Sequence, residues 1–338
     1  MSNPPIFNIQ TMKLEKYDEN NNLNIFPLYY MSRAHIEWTP IKPLYSGSSS
    51  INNNNAGDLL NEFIIYKISN FNYYKFTING PQSIEQNTIL CPERFLMIGS
   101  IATDSTENSI LCGAGIIKNV KINKYKFIYG VRGKYTLNNI INNNNIDFNN
   151  IVLGDPGLLL SLFFNIEKTK KYKYGLILHM CDIELLKNYF NDDILEKIKI
   201  IDIRTDDFEL LSKNINECEI IISSSLHGII FSHSFNIPAI WIELENSILT
   251  NKNSDNIKFY DYFSVFNNDF VYDISKRKNK GNINNWIDYK ININNINNLI
   301  SYVPSEKEIQ DKITEIYHMI KEKVLNNDII NNLKFYHN

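Results

Sequence analysis

The sequence predicts an α/β protein of two domains facing a cleft, and three observations carry the prediction. Runs rich in Ile and Leu, of strand length, alternate with segments of helical apolar spacing, the pattern of parallel strands covered on both faces. The 338 residues, 43% of them hydrophobic, fill two domains of ordinary size. The polar stretch "NIEKTKKYK" (165–173) separates the two halves. The expected division is 1–168, 169–300 and a C-terminal helix, 301–338, crossing back to the first domain.

In the first half, "FPLYYM" (26–31), "FLMIG" (95–99), "SILCGAG" (109–115), "KYKFIYGVR" (124–132) and "NNIVLG" (149–154) read as strands. "AGDLLNEFIIYKIS" (56–69) and "PGLLLSLFF" (156–164) read as helices. The second half alternates more cleanly. "YGLILHM" (174–180), "IKIIDIR" (198–204), "EIIIS" (219–223) and "PAIWIEL" (238–244) are strands; "CDIELLKNYF" (181–190), "DDFELLSKNINE" (206–217) and "HGIIFSHSF" (227–235) are helices. A long amphipathic segment, 304–327, closes the chain. In open parallel sheets ligands bind beyond the carboxyl ends of the strands, so the strand-to-helix corners are the places to search.

A net charge of −3 excludes a general nucleic-acid binder, and the basic run "SKRKNK" (275–280) reads as a solvated loop. Cys91, Cys112, Cys181 and Cys218 are scattered without zinc spacing, which implies neither a metal nor a disulfide framework and suits a reducing compartment. The start lacks the pattern of a signal peptide, and no apolar run reaches spanning length. A soluble cytoplasmic protein is expected (host cytoplasm, if the AT-rich genome suggested by the Asn runs is viral).

The corner "IISSSLHG" (221–228) ends a strand near Ser223 and opens a helix near His227. A helix start offers unpaired N–H groups and the positive dipole end to an anion. Ser224 and Ser225 add hydroxyls, and His227 is fitted to bind phosphate or transfer a proton. A capping serine and a satisfied histidine would explain the same letters. At "LGDPG" (153–157) Asp155 is a natural N-cap with Pro156 at the first helical position. At "NAGDLLN" (55–61) Asp58 suits the same task, while Gly57 would let a ligand approach the backbone. "LHMCD" (178–182) places His179 at a strand's carboxyl end and Asp182 as a cap. Arginine is scarce: of Arg33, Arg94, Arg132, Arg204 and Arg277, Arg132 in "VRGKYT" is best placed, with a surface ion pair as its plain alternative.

Taken in order, "NAGDLLN", "MIGSIA…SILCGAGI", "VRGKYT", "LGDPGLLL", "YGLILHMCD", "IISSSLHGIIFSHSFNIPAIWIEL" and "IKFYDYF" (257–263) resemble the polysaccharide pyruvyl transferase family over residues 55–265. The nearest branch is the exopolysaccharide type. The resemblance implies two Rossmann-like domains in a glycosyltransferase B-like architecture, with 1–168 on the acceptor side and 169–300 on the donor side. It implies transfer of the carboxyvinyl unit of phosphoenolpyruvate to a sugar or glycan precursor, forming a pyruvate ketal and releasing phosphate, with no cofactor and no metal. On that reading His227 contacts the phosphate or acts as the acid, and Ser224, Ser225 and Gly228 cradle the donor. Arg132 or Lys134 takes the carboxylate, while His179 and Asp58 serve the acceptor side or act as bases. Gly57, Asp155, Lys258 and Asp261 are further cleft candidates.

Two departures stand out. Ser225 occupies the place of an arginine that another branch uses for its donor. Cys112 replaces the aromatic of a W-G-x-G segment, with an altered cleft wall expected. A nucleotide-sugar glycosyltransferase (with Glu243 or Glu245 holding the ribose) and a non-catalytic carbohydrate-binding protein are the alternatives.

Overall fold

The computed structural model describes residues 7–8, 13–14, 25–29, 55–70, 75–78, 93–141, 147–167, 169–186, 190, 192–244, 256–266, 285–286 and 301–327. Arg33, Arg277, Cys91, Glu245 and the basic run 275–280 lie outside these residues.

Two parallel sheets organise the chain. After a two-residue antiparallel pair, β1 (Phe7–Asn8) with β2 (Lys13–Leu14), the first sheet contains β3 (Ile25–Tyr29), β4 (Lys75–Ile78), β5 (Arg94–Leu96), β6 (Ser109–Cys112), β7 (Phe127–Val131) and β8 (Val152–Leu153). Its order is β4-β3-β5-β6-β7-β8, parallel throughout. The second sheet runs β10-β9-β11-β12, from β9 (Tyr172–Ile177), β10 (Lys199–Ile200), β11 (Cys218–Ser223) and β12 (Ala239–Trp241). A short parallel pair, β13 (Glu243–Leu244) with β14 (Asn285–Trp286), lies apart from both sheets. In each large sheet the chain steps outward once and then returns to the other side of its first strand. The reversal falls between β3 and β5 in one and between β9 and β11 in the other, the positions where such sheets bind ligands.

Helices α1 (Ala56–Ile68), α2 (Lys134–Asn139), α3 (Asp192–Leu195), α4 (Phe208–Asn216), α5 (Leu226–Ser234), α6 (Ile257–Phe263) and α7 (Glu306–His318) complete the fold. Several expectations change in detail. "PGLLLSLFF" is a 3-10 helix over Pro156–Leu162, and "IKIIDIR" pairs with β9 only at Lys199–Ile200, as an edge strand. "CDIELLKNYF" begins as a single 3-10 turn, Ile183–Leu185, because the Asp182 carboxylate makes no cap bond and turns to Ser224 instead. Strand β4 and helices α2 and α6 went unread in the sequence.

One apolar core runs from Leu28 and Phe95 of the first sheet through Ile64 of α1 and Leu158–Leu160 to Ile177 and Ile221 of the second sheet and Phe231 of α5. Ile309, Ile313 and Ile316 of α7 join it, below a reciprocal capping box between Ser305 and Glu308. The chain leading into α7 pairs with β12, Tyr302 and Ala239 exchanging N–H···O bonds of 2.9 Å. Ile316 then meets Gly154, and Asn327 donates to the Tyr129 hydroxyl at 2.9 Å. Burial on this scale fixes the corners of the two sheets relative to one another, which a site shared between them requires.

Candidate functional site

The corner between β11 and α5 is built by serines with different tasks. The Ser223 hydroxyl reaches the carbonyls of Ile177 (2.7 Å) and Ser225 (2.9 Å) and accepts from the Ser225 N–H at 3.0 Å. The Ser224 hydroxyl donates to Asp182 Oδ2 at 2.7 Å and accepts from the His179 N–H at 2.9 Å. Ser224 has one proton and gives it to a carboxylate, so it has no proton left for a ligand. Ser225 stands at the N-cap, is buried, and makes no capping bond. The first-turn N–H groups of Leu226, His227 and Gly228 therefore receive no capping side chain and point out of the helix with the positive dipole end. Gly228 is a glycine for packing reasons: a Cβ there would overlap the Ser223 hydroxyl and Ile177.

His227 faces the first half of the chain. Its imidazole lies against Gly57 so closely that a Cβ on Gly57 would overlap the ring, and its other side stacks on Phe231 with centroids 5.8 Å apart. Burial, then the charges of Lys258 and Arg132, lowers its pKa from 6.5 to about 3. With no ligand the ring is neutral at physiological pH. Gly57 is presented by the first turn of α1, where Asn55 accepts from the Gly57 N–H at 3.2 Å and donates to Asp58 Oδ2 at 3.0 Å. Asn55, rather than Asp58, is the cap. Asn61 holds this helix to the carboxyl end of β5, accepting from the Ile98 N–H at 2.8 Å and donating to the Ile98 carbonyl at 3.2 Å. The Ala56 N–H donates to the Ile203 carbonyl at 3.0 Å, tying the same turn to the second half of the chain.

Arg132 does not present an open cation. It is 1% exposed, with Nε bonded to Asp261 Oδ2 at 3.0 Å, one terminal nitrogen to Ser100 Oγ at 2.8 Å and the other to the Ile116 carbonyl at 2.6 Å. Asp261, wholly buried, also accepts from the Thr136 N–H at 2.8 Å and hydroxyl at 2.6 Å. Gly115 and Gly133 leave room for this pair, since a Cβ on either would overlap Arg132 or the Asp261 backbone. The expected clamp for a carboxylate is instead a satisfied internal ion pair joining β7 and α2 to α6. Lys134 is exposed, and its backbone N–H donates to Ser264.

Asp155 caps its 3-10 helix as the sequence suggested, accepting from the Gly157 N–H at 2.9 Å. It is completely buried and its Oδ2 has no hydrogen-bond partner. Burial raises its pKa to about 6 against the opposing pull of Arg132. Cys112 lies in the core, where burial drives its thiol pKa well up, and does not form a wall of the site.

Helix α6 delivers the remaining charge. The helix is buried along its length: Phe259 stacks on Trp241 at 4.3 Å and Tyr262 reaches His233 Nδ1 at 2.9 Å. His233 Nε2 lies 2.9 Å from the Tyr302 carbonyl, which only accepts, so Nε2 carries the proton and the Tyr262 hydroxyl donates to Nδ1. Burial holds His233 neutral, with a pKa near 3. Lys258, on the first turn, is 7% exposed, and its ammonium rests at 5.2 Å over the Phe259 ring. Burial, then the charge of Arg132, lowers its pKa to about 8, against the opposing effects of Asp182, Cys181 and Asp58.

The structure thus gathers Gly57, Asp58, His179, Ser224, Ser225, His227, Gly228 and Lys258 around the meeting point of α1, α5 and α6. Arg132 and Asp261 lie behind it, Asp155 is sealed, and Lys134 stands outside. Asp182 is the member read only as a helix cap; its position three residues past His179 was the one available signal. His179 holds an unprotonated Nδ1, which accepts from the Cys181 N–H at 3.2 Å. No group of three or more His, Cys, Asp or Glu side chains among the described residues is placed to hold a metal ion, and none of their helices is long and apolar enough to cross a membrane.

Comparison with known proteins points the same way as the corners. A protein of Acanthamoeba polyphaga mimivirus, described as uncharacterized, is 38% identical over 215 residues, 63% of this chain and 71% of the relative. No solved structure matches the chain significantly. The sequence profile of the family "Polysaccharide pyruvyl transferase" matches residues 35–246, so α6 with Lys258 and Asp261 lies beyond the matched span. With more than half of its length matched, the chain belongs to the polysaccharide pyruvyl transferase family.

Proposed function

We propose that the protein transfers the carboxyvinyl group of phosphoenolpyruvate to a sugar of a polysaccharide or its precursor, forming a pyruvate ketal. The observation that carries this reading is the uncapped first turn of α5, with the Ser225 hydroxyl and a neutral His227 at one mouth. That combination suits a phosphate better than a neutral ligand. Two Rossmann-like domains arranged as in glycosyltransferase B enzymes would bring donor and acceptor to this junction.

The donor phosphate occupies the N-terminus of α5. Its negative charge favours imidazolium, so His227 takes up a proton as the donor binds and becomes the acid. The proton passes to the methylene carbon, leaving carbon two electrophilic. One sugar hydroxyl adds there and loses its proton to a base, with Asp58 and His179 as the candidates. A second hydroxyl of the same sugar adds as the carbon–oxygen bond to phosphate breaks. One hydroxyl proton balances the proton now in the methyl group; the other leaves with phosphate.

Incubation with phosphoenolpyruvate and a panel of hexose and hexosamine acceptors tests the reading. Phosphate release matched by a pyruvyl gain in acceptor mass is the expected result. Binding of a nucleotide sugar, with no response to phosphoenolpyruvate, would sink it.

A further inference from the structure

An ammonium group taken out of water without a partner is unfavourable by several kcal/mol, so buried lysines are normally paired. Lys258 lacks such a partner. The residue is 7% exposed, and its Nζ, which is not among the wholly buried polar atoms, has no hydrogen-bond or ion-pair partner among the described residues. The side chain is held over Phe259, whose ring is itself fixed by stacking on Trp241. Arg132, Asp182, Cys181 and Asp58 act on its charge, and its own charge acts on His227, so it sits among the corners of both sheets. Arg132, the other buried cation nearby, already holds Asp261, Ser100 and Ile116, one on each of its three nitrogens.

We propose that Lys258 is the cation of the donor subsite, pairing directly with an anionic group of phosphoenolpyruvate and supplying the charge that Ser225 cannot. This rests on the pyruvyl-transfer reading above. The site explains the unpaired ammonium: the missing counter-ion is the substrate, and the largely buried side chain leaves little water to screen its attraction for an anion. Asp182 and Asp58 keep it charged without closing on it. The phosphate and the carboxylate of the donor are both anions that fit, and inorganic phosphate separates the two.

The test is calorimetric titration of the full-length protein and its Lys258→Met and Lys258→Arg variants with phosphoenolpyruvate and, separately, with inorganic phosphate. Melting curves show that each variant is folded. The expected result is at least a tenfold loss of phosphoenolpyruvate affinity in Lys258→Met and substantial recovery in Lys258→Arg. Loss of phosphate binding as well assigns Lys258 to the phosphate; loss confined to phosphoenolpyruvate assigns it to the carboxylate. A folded Lys258→Met protein that binds both ligands within twofold of wild type overturns the proposal and leaves pyruvyl transfer standing. Should wild type bind phosphate but not phosphoenolpyruvate, the pyruvyl-transfer reading and the donor assignment fail together. The phosphate titration of Lys258→Met then decides only whether Lys258 binds anions at all.

Discussion

Lys258, at the meeting point of α1, α5 and α6, and Arg132, behind it, are both buried cations, and they are treated in opposite ways. Arg132 has a carboxylate, a hydroxyl and a carbonyl on its guanidinium, and its partner Asp261 is satisfied in turn by Thr136. Lys258, three residues before Asp261 on the same helix, has an aromatic face and, among the described residues, no counter-ion in contact. One charge is fixed by the fold and the other is left for a ligand. A buried position alone therefore does not mark a structural residue; the state of its hydrogen bonds does.

The sharpest break in the comparison is chemical. His227→Ala is expected to lower turnover by about 10²–10⁴-fold, the range of general acid catalysis, with only a modest fall in melting temperature, because among the described residues the ring makes no hydrogen bond and only its packing on Gly57 and Phe231 is lost. Assays of phosphate release alongside melting curves check both halves.

Next in size is the stability contrast. Asp261→Ala leaves Arg132 buried without its partner and is expected to cost about 3–5 kcal/mol in denaturant unfolding. Lys258→Met removes an unpaired charge and should leave stability unchanged or raise it. Equal losses in the two variants would erase the distinction drawn here.

Gly57→Ala comes third. The new methyl group must displace the His227 imidazole, and a shift of about 1 Å in a reacting group costs on the order of 10²-fold. Turnover should fall by about that factor with the protein still folded. Ser224 and Ser225 give a smaller contrast. Ser224→Ala leaves the buried Asp182 carboxylate short of a donor, a stability loss of about 1–3 kcal/mol, whereas Ser225→Ala should act on donor affinity alone.

The pH dependence of stability is the mildest test. His227 and His233 have folded pKa values near 3 against 6.5 unfolded. Between those values the unfolded chain holds the extra protons, so stability falls as pH drops from 6.5 toward 3. Asp155, raised from 3.8 to about 6, opposes this in part, because the folded state holds its proton in that window. Lys258, lowered from 10.5 to about 8, makes stability rise with pH between those values, and Lys258→Met should abolish that alkaline rise. Melting temperatures from pH 4 to 10.5 read out all of these groups.

The parallel strands of the second half were legible because the carboxyl-terminal halves of β9 and β11, and β12, are buried on both faces and lie in largely apolar stretches such as "YGLIL", "IIIS" and "AIWI". Corners were legible too, since Asp155 and Ser225 are residue types that begin helices, although at the first corner Asn55 holds the cap expected of Asp58. Strand β4 escaped because "KFTI" is too short to declare a period, and α6 because a helix buried on all sides shows no amphipathic stripe. Asp182 was misread for a related reason: a carboxylate before an apolar segment looks like a cap whichever partner it finally chooses.

By itself the sequence determined the α/β class, the order of its strand-to-helix corners and the family to which that order belongs, because local propensity and apolar periodicity are written in adjacent letters. Only the tertiary structure decided which polar groups at those corners remain available. Ser224 and Ser225 are neighbours of one type, yet a carboxylate 42 residues away takes the proton of the first. Arg132 is held by an aspartate 129 residues distant, whereas among the described residues no acceptor is folded against Lys258. Hydrogen-bond satisfaction is settled by long-range contact, and no short stretch of chain can record it.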